Sequence, residues 1–141
     1  MPPMNNETPL ADAEGPLVLV VEDNPVNVRL IHEMLRTGGY RTCTAANGEA
    51  GVRVARESQP VLIITDLQMP VLDGLSMTRQ LKASPETAGI PILALTAHAG
   101  DEHRAAARES GCAGFLTKPI RLITLLQEVA RALEHSTAGQ T

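Results

Sequence analysis

The sequence predicts an α/β fold: a doubly wound, five-stranded parallel sheet of order 2-1-3-4-5, built from five βα units. Three observations predict it. Residues 17 to 21 (LVLVV), 61 to 64 (VLII) and 92 to 95 (ILAL) are short runs of continuous rather than alternating hydrophobicity. Such runs are buried on both faces, as strands of a parallel sheet are. Two less apolar runs, 41 to 46 and 114 to 117, suit sheet edges. A helical pattern follows each of the five, which is the βα alternation of a sheet covered on both sides. Ranked by hydrophobicity, the first, third and fourth strands are central, and the switch point falls between strands one and three.

The elements follow in order. Residues 1 to 16 are rich in Pro, Asn and acids without periodicity and read as a flexible leader. The folded part spans 17 to 135, and 136 to 141 (STAGQT) read as a polar tail. After the first strand, Asn24 can N-cap a helix and Pro25 fits its first position. Val26, Leu30, Ile31, Met34 and Leu35 form its apolar stripe, and Gly38 and Gly39 can end it. Asn47 can cap a second helix running through Ser58. A third is expected from about Leu75 to Ala83 and a fourth from about His98 to Ser110. The last has the cleanest stripe: Leu122, Leu125, Leu126, Val129, Ala130 and Leu133.

Composition narrows the function. The 141 residues suit one domain, long enough to bury a core without metals or disulfides. Tyr40 and Phe115 are the only aromatics and the net charge is −4, which argues against base stacking or phosphate-backbone binding. Cys43 and Cys112 cannot form a disulfide framework or a four-cysteine zinc site; they read as small buried hydrophobes in a reducing compartment. No run reaches membrane-span length and no signal peptide is evident, so a soluble, cytoplasmic protein is expected.

In a doubly wound sheet, ligands bind beyond the carboxyl ends of the strands. Glu22 and Asp23 follow the first strand and Asp66 the third, while Thr96 ends the fourth and Lys118 the fifth. Three acids meeting at the switch point would repel one another, and Lys118 alone does not balance them. A hard divalent cation with oxygen ligands does, and Mg²⁺ suits a few carboxylates with water and phosphate oxygens. Such a cluster supports phosphoryl transfer to a carboxylate. Asp66 is central and is the expected nucleophile. Glu22 and Asp23 would hold the Mg²⁺, Lys118 would pair with phosphoryl oxygens, and Thr96 would donate a hydroxyl hydrogen bond.

The stretches VLVVEDNPVN (18–27), IITDLQMPVLDG (63–74), ILALTAH (92–98) and GFLTKP (114–119) together resemble the receiver domain of two-component response regulators, single-domain and like the chemotaxis and cell-cycle regulators. The resemblance covers about residues 17 to 135 and implies the flavodoxin-like (βα)5 arrangement. It makes Asp66 the phosphoacceptor and Glu22 and Asp23 the acidic pair. It adds the backbone carbonyl of Gln68 as a further Mg²⁺ ligand beside Asp66. Thr96 matches the switch hydroxyl, Lys118 the active-site lysine, and Phe115 the switch aromatic. The Lys118–Pro119 bond matches one that is usually cis. Pro70 and Gly74 shape the loop after the acceptor, with glycine tolerating positive φ. Gln68 and His98 stand at two variable positions that tune dephosphorylation in the family.

The implied function is a phosphoacceptor switch, not an enzyme. A histidine kinase or histidine phosphotransfer protein donates the phosphoryl group; Thr96 moves inward, Phe115 fills the vacated space, and a surface for a downstream protein target changes. In the family that surface often lies on the fourth helix, fifth strand and fifth helix. Arg104 and Arg108, with Asp101, Glu102 and Glu109, give the fourth helix a charged face that can also simply be solvated. Self-association through the first or fifth helix stays open. No DNA-binding segment follows residue 135, so direct contact with nucleic acid is not expected. His32, His98, His103 and His135 lack ligand spacing and read as surface residues, and Met34, Met69 and Met77 as core.

Three rivals remain. A Mg²⁺-dependent hydrolase with an aspartyl-phosphate intermediate would want an acid two residues after the nucleophile, where Gln68 stands. A flavin module would want a Ser/Thr/Gly-rich loop after the first strand and rings to stack. A phosphate-independent pseudo-receiver would not need the reactive groups, all of which are present.

Overall fold

A computed structural model describes residues 15–67, 73–97 and 100–140, with the backbone alone at 101, 103 and 135–140. The chain alternates β1 (Leu17–Val21), α1 (Pro25–Thr37), β2 (Arg41–Ala45), α2 (Gly48–Ser58), β3 (Leu62–Asp66), α3 (Gly74–Ala83), β4 (Ile92–Thr96), α4 (Asp101–Ser110), β5 (Gly114–Thr117) and α5 (Leu122–Gln140). The five strands are all parallel and lie in the order β2-β1-β3-β4-β5. The doubly wound order read from the strand hydrophobicities is therefore the observed one. β3 and β4 are buried along their whole length, whereas β2 is mostly half-buried at its edge.

Alternate residues of the central strands feed two cores. Val18, Val20, Leu62, Ile64, Leu93 and Leu95 pack with Ile31 and Leu35 of α1 and Leu125 and Val129 of α5. Leu19, Val21, Ile63 and Ile92 turn the other way, onto Val52 and Ala55 of α2 and Met77 and Leu81 of α3. Ala107 of α4 joins Leu67 and Ala94 in a smaller cluster. Both faces of the sheet are covered, which is why its central strands lack polar alternation.

The helix caps follow the sequence. Asn24 Oδ1 accepts from Val26 N–H at 2.9 Å, and Asn47 Oδ1 accepts from Ala50 N–H at 2.8 Å. Asp73, which the sequence reading passed over, caps α3 by accepting from Ser76 N–H at 2.8 Å. Gly39 takes a positive φ just beyond α1.

Three expectations change. Val26 and Leu30 are 72% and 42% exposed and leave the α1 stripe, whose buried residues are Ile31 and Leu35. In α5, Ala132 rather than Ala130 is buried, and Leu122 is exposed. An apolar stripe fixes a helix face only to within a neighbouring position; contact with the sheet decides the rest. Finally, α4 begins at Asp101 and α5 runs to Gln140, through residues 136–140 of the expected polar tail. Gly100 takes the extended conformation of an N-cap, which fixes the later start of α4. No proline interrupts the end of α5, and adding residues to an existing helix is easy. Met77 is buried and Met34 packs against the core, while Met69 lies outside the described residues.

Lys82 is a structural lysine. Its Nζ donates to Ala88 O at 3.0 Å and Ile90 O at 2.8 Å, bracing the turn from α3 into β4. Burial pushes its pKa down. Lys82→Met keeps the stem but strands two carbonyls, so a loss of about 1–3 kcal/mol is expected, read as a lower urea midpoint with unchanged slope. Cys43 and Cys112 are half-buried free thiols, each with its pKa pushed up by burial.

Candidate functional site

The carboxyl ends of β1, β3, β4 and β5 bring Glu22, Asp23, Asp66, Thr96 and Lys118 to one end of the sheet. Glu22 extends the β1–β2 ladder by one residue, its N–H donating to Ala45 O at 3.0 Å. Its side chain is buried, and Oε2 accepts from Asn24 N–H at 3.2 Å and Asn27 Nδ2 at 3.5 Å. Asn24 thus caps α1 with its side chain and holds Glu22 with its backbone. Asp66 closes β3, 6% exposed, and its Oδ2 accepts from Lys118 Nζ at 3.1 Å. Lys118 is fixed in turn by its own N–H, which donates to Thr96 O at 2.8 Å. The Lys118–Pro119 bond is cis.

The electrostatics are unbalanced. Glu22, Asp23 and Asp66 each offer an oxygen within 4.8 Å of the others. Two like charges about 4 Å apart repel by about 4 kcal/mol at an effective dielectric of 20. Lys118 contacts Asp66 at 3.1 Å and Glu22 at 3.4 Å, one ammonium against three carboxylates among the described residues. Burial pushes the Glu22 carboxyl above its ordinary range, and the Asp66 charge adds to this, against the hydrogen bonds from Asn24 and Asn27 and the Lys118 charge. Burial would lower Lys118, but its hydrogen bond and attraction to Asp66, with Glu22, outweigh that and raise it. Glu22 Oε1 is buried and accepts no hydrogen bond of good geometry from the described residues, and it meets the Lys118 ammonium as an ion pair at 3.4 Å. A buried carboxylate oxygen beside two further acids, with a single shared ammonium near it among the described residues, fits a hard divalent cation, which takes oxygen ligands and cancels the excess charge.

Gly74, the first residue of α3, sits against the acceptor. A Cβ there would lie 2.3 Å from Asp66 O and 2.9 Å from Leu67 Cα, both backbone. Its φ is not positive, so the resemblance names the right residue with a different cause: close approach, not conformation. Gly74→Ala should push the acceptor backbone aside, lower stability by about 1–3 kcal/mol and reduce Mg²⁺ affinity, both measurable by melts with and without the ion.

Thr96 is buried at the end of β4, in register with Thr117 of β5. Phe115 pairs in register with Ala94 and packs half-buried near Leu67, the residue after Asp66, and Ala107 of α4. The ring thus belongs to the apolar cluster that also holds Leu67, the residue after Asp66. Gln68, Pro70 and His98 lie outside the described residues, as do the side chains of Asp101, His103 and His135. His32 is half-buried on α1.

This geometry can be set beside known proteins. Residues 18–130 match the family model described as the response regulator receiver domain. The chain belongs to the response regulator receiver domains. This receiver domain is 38% identical over 114 residues to the polar-differentiation response regulator DivK of Brucella anthropi, covering 79% of this chain and 91% of that one. It is also similar to the receiver domain of the sensor histidine kinase PA1611 of Pseudomonas aeruginosa PAO1, with TM-score 0.80, 38% identity and coverage of 85% and 98%. That crystal structure has a magnesium ion coordinated in its active-site cleft. The Vibrio cholerae chemotaxis protein CheY4 matches at TM-score 0.79 and 29% identity, covering 84% of this chain and 98% of its own. The family is a signalling module that works with kinases or phosphotransfer proteins and downstream targets. No helix among the described residues is long and apolar enough to cross a membrane.

Two supporting contacts escaped the sequence reading. Asn27 holds Glu22 from the first turn of α1, and Arg104 lies 5.0 Å from the centroid of the Phe115 ring. Asn27 lies within the motif VEDNPVN, but an asparagine inside a helix carries no separate signal. The Arg104 contact joins two elements whose relative position only the folded chain sets.

Proposed function

We propose that Asp66 accepts a phosphoryl group from a phosphohistidine donor on a histidine kinase or phosphotransfer protein, and that Thr96 and Phe115 convert this into a changed protein-interaction surface. The cluster of Glu22, Asp23 and Asp66, whose oxygens lie within 4.8 Å of one another beside Lys118, supports the reading most directly. Glu22, Asp23, Asp66 and the backbone carbonyl of Gln68 would hold Mg²⁺. The ion supplies charge neutralisation for an incoming phosphoryl group. Lys118, already on Asp66, stays within reach of phosphoryl oxygens as a point charge.

In the transfer, an Asp66 carboxylate oxygen forms the new bond to phosphorus. The bond from phosphorus to the donor imidazole nitrogen breaks, and its electron pair stays with the nitrogen. The Thr96 hydroxyl then donates to a phosphoryl oxygen, and Phe115 turns into the space Thr96 leaves. Val26 and Ile123, 72% and 69% exposed, stand in the first turns of α1 and α5, at the site end of the sheet. Apolar side chains there suit docking by a protein donor.

Acetyl phosphate with Mg²⁺ tests the reading without a cognate kinase. Intact-mass measurement should show one phosphoryl group per chain, absent when EDTA removes the ion. Uptake that ignores EDTA, or none at saturating donor and ion, rejects it.

A further inference from the structure

β2 is an outer strand of the sheet, and one of its edges meets no other strand. Which backbone groups that edge presents follows from alternation. Arg41 N–H donates to Pro16 O at 2.8 Å, and Ala45 O accepts from Glu22 N–H at 3.0 Å. Arg41, Cys43 and Ala45 therefore turn their backbone groups to β1, and Thr42 and Thr44 turn theirs outward. Among the described residues no hydrogen bond reaches those outward groups. Thr42 to Ala45 carry no charge and no proline, the devices that guard most open edges. α1 packs beside this edge, and a groove of about 630 Å³ runs between them. Arg29, His32 and Glu33 line it from α1, and Thr44 and Ala45 from β2. Arg29 and Glu33 are exposed, opposite in charge, and in no ion pair among the described residues.

We propose that this edge pairs with the same edge of a second copy of the chain, antiparallel about a two-fold axis through Cys43, so that two sheets join into one. Cys43 is the middle residue of β2. About that axis Thr42 of each copy faces Thr44 of the other, and each such pair exchanges N–H and C=O in both directions. The two Cys43 residues face each other at a position without hydrogen bonds, where Cα atoms lie about 4.5 Å apart. α1 crosses the same sheet from its carboxyl to its amino end, so its middle residue, Ile31, lies level with the middle of β2. Arg29 and Glu33 stand equally far either side of Ile31. The axis therefore sets Arg29 of each copy opposite Glu33 of the other. One two-fold satisfies the backbone and the charges together, as an isologous interface requires. A foreign strand would meet the backbone groups but not this reciprocal charge pair.

Sedimentation velocity on the full chain under reductant, from about 10 µM to 1 mM, should show a monomer–dimer equilibrium. Diamide, which takes two electrons and two protons from a pair of thiols, should then link the dimer through Cys43. The bridge should form in Cys112→Ser and not in Cys43→Ser, since facing Cα atoms about 4.5 Å apart suit a disulfide. Thr44→Pro removes an outward N–H and leaves the β1 ladder whole, so it should weaken the dimer about tenfold or more. Arg29→Glu and Glu33→Arg each set like charges face to face and should weaken it, while the double exchange Arg29→Glu/Glu33→Arg restores it. Every variant is checked by circular dichroism and melting. A chain that stays monomeric at the highest concentration overturns the proposal. So does a dimer that forms no Cys43 bridge, one that folded Thr44→Pro leaves unchanged, or one that the double exchange fails to restore. Pairing that appears only after residues 1–14 are deleted overturns it too, because that segment would then be the occupant of the edge.

Discussion

Asp66→Asn takes up no phosphoryl group from acetyl phosphate at saturating Mg²⁺, while the chain still folds. The amide keeps the shape of the carboxylate but not its charge, and its oxygen is too weak a nucleophile to form the new bond. The substitution also removes one of three acids whose oxygens lie within 4.8 Å of one another. Lys118 keeps its contact with Glu22 at 3.4 Å, so the ammonium is not stranded. Relief of repulsion then makes the variant at least as stable as the parent in EDTA. Added Mg²⁺ should raise its melting temperature by much less than the parent's, because one ligand is gone. A variant that melts far below the parent in EDTA would show instead that Asp66 is chiefly a structural partner of Lys118.

Lys118→Met has the next largest effect, in two readouts. Without metal, Glu22 and Asp66 lose the ammonium 3.4 and 3.1 Å away. Removing one partner of a buried pair costs about 3–5 kcal/mol. The Lys118 side chain is 24% exposed, which places the loss near the lower end. The pH dependence follows from the shifts. Lys118 is raised in the folded chain, so its stabilisation is complete at neutral pH and fades only as pH climbs past its ordinary ammonium value. Glu22 is also raised, so the folded chain holds that proton more tightly than the unfolded chain does. For a carboxyl raised in this way, folding is favoured below its unfolded pKa and weakened as pH rises through its folded pKa. Without Lys118 the Glu22 shift grows. The deficit of Lys118→Met should therefore be large at neutral pH and shrink on acidification into the carboxylate range, or on adding Mg²⁺. Urea midpoints across pH in EDTA measure it. Phosphoryl uptake should also fall about 10²-fold or more for loss of a fixed positive group on the phosphoryl oxygens.

The sheet was legible because burial on both faces leaves no polar alternation in β1, β3 and β4. The weaker runs then had to be the edges. The cluster was legible for a related reason: a parallel sheet sends all its strand carboxyl ends to one side, so residues far apart in sequence share an address. Glu22, Asp23, Asp66 and Lys118 meet on that logic alone. What escaped depends on distances that no periodicity carries. Val26 and Leu30 look as apolar as Ile31 and Leu35, yet they face away from the sheet. Nothing in the sequence around Lys82 signals the two loop carbonyls to which its ammonium donates. Gly74 looked like a turn glycine, whereas its constraint is the Asp66 carbonyl behind it. Arg104 on Phe115 joins α4 to β5, a contact set by packing alone.

The central claim is that Asp66 carries the phosphoryl group. Treatment with acetyl phosphate and Mg²⁺, followed by borohydride, reduces an aspartyl phosphate to homoserine and marks the residue that held it. Peptide mass spectrometry should find homoserine at position 66 and at no other acid. Homoserine at position 23, or at no position in a chain that has gained phosphate, would contradict the account.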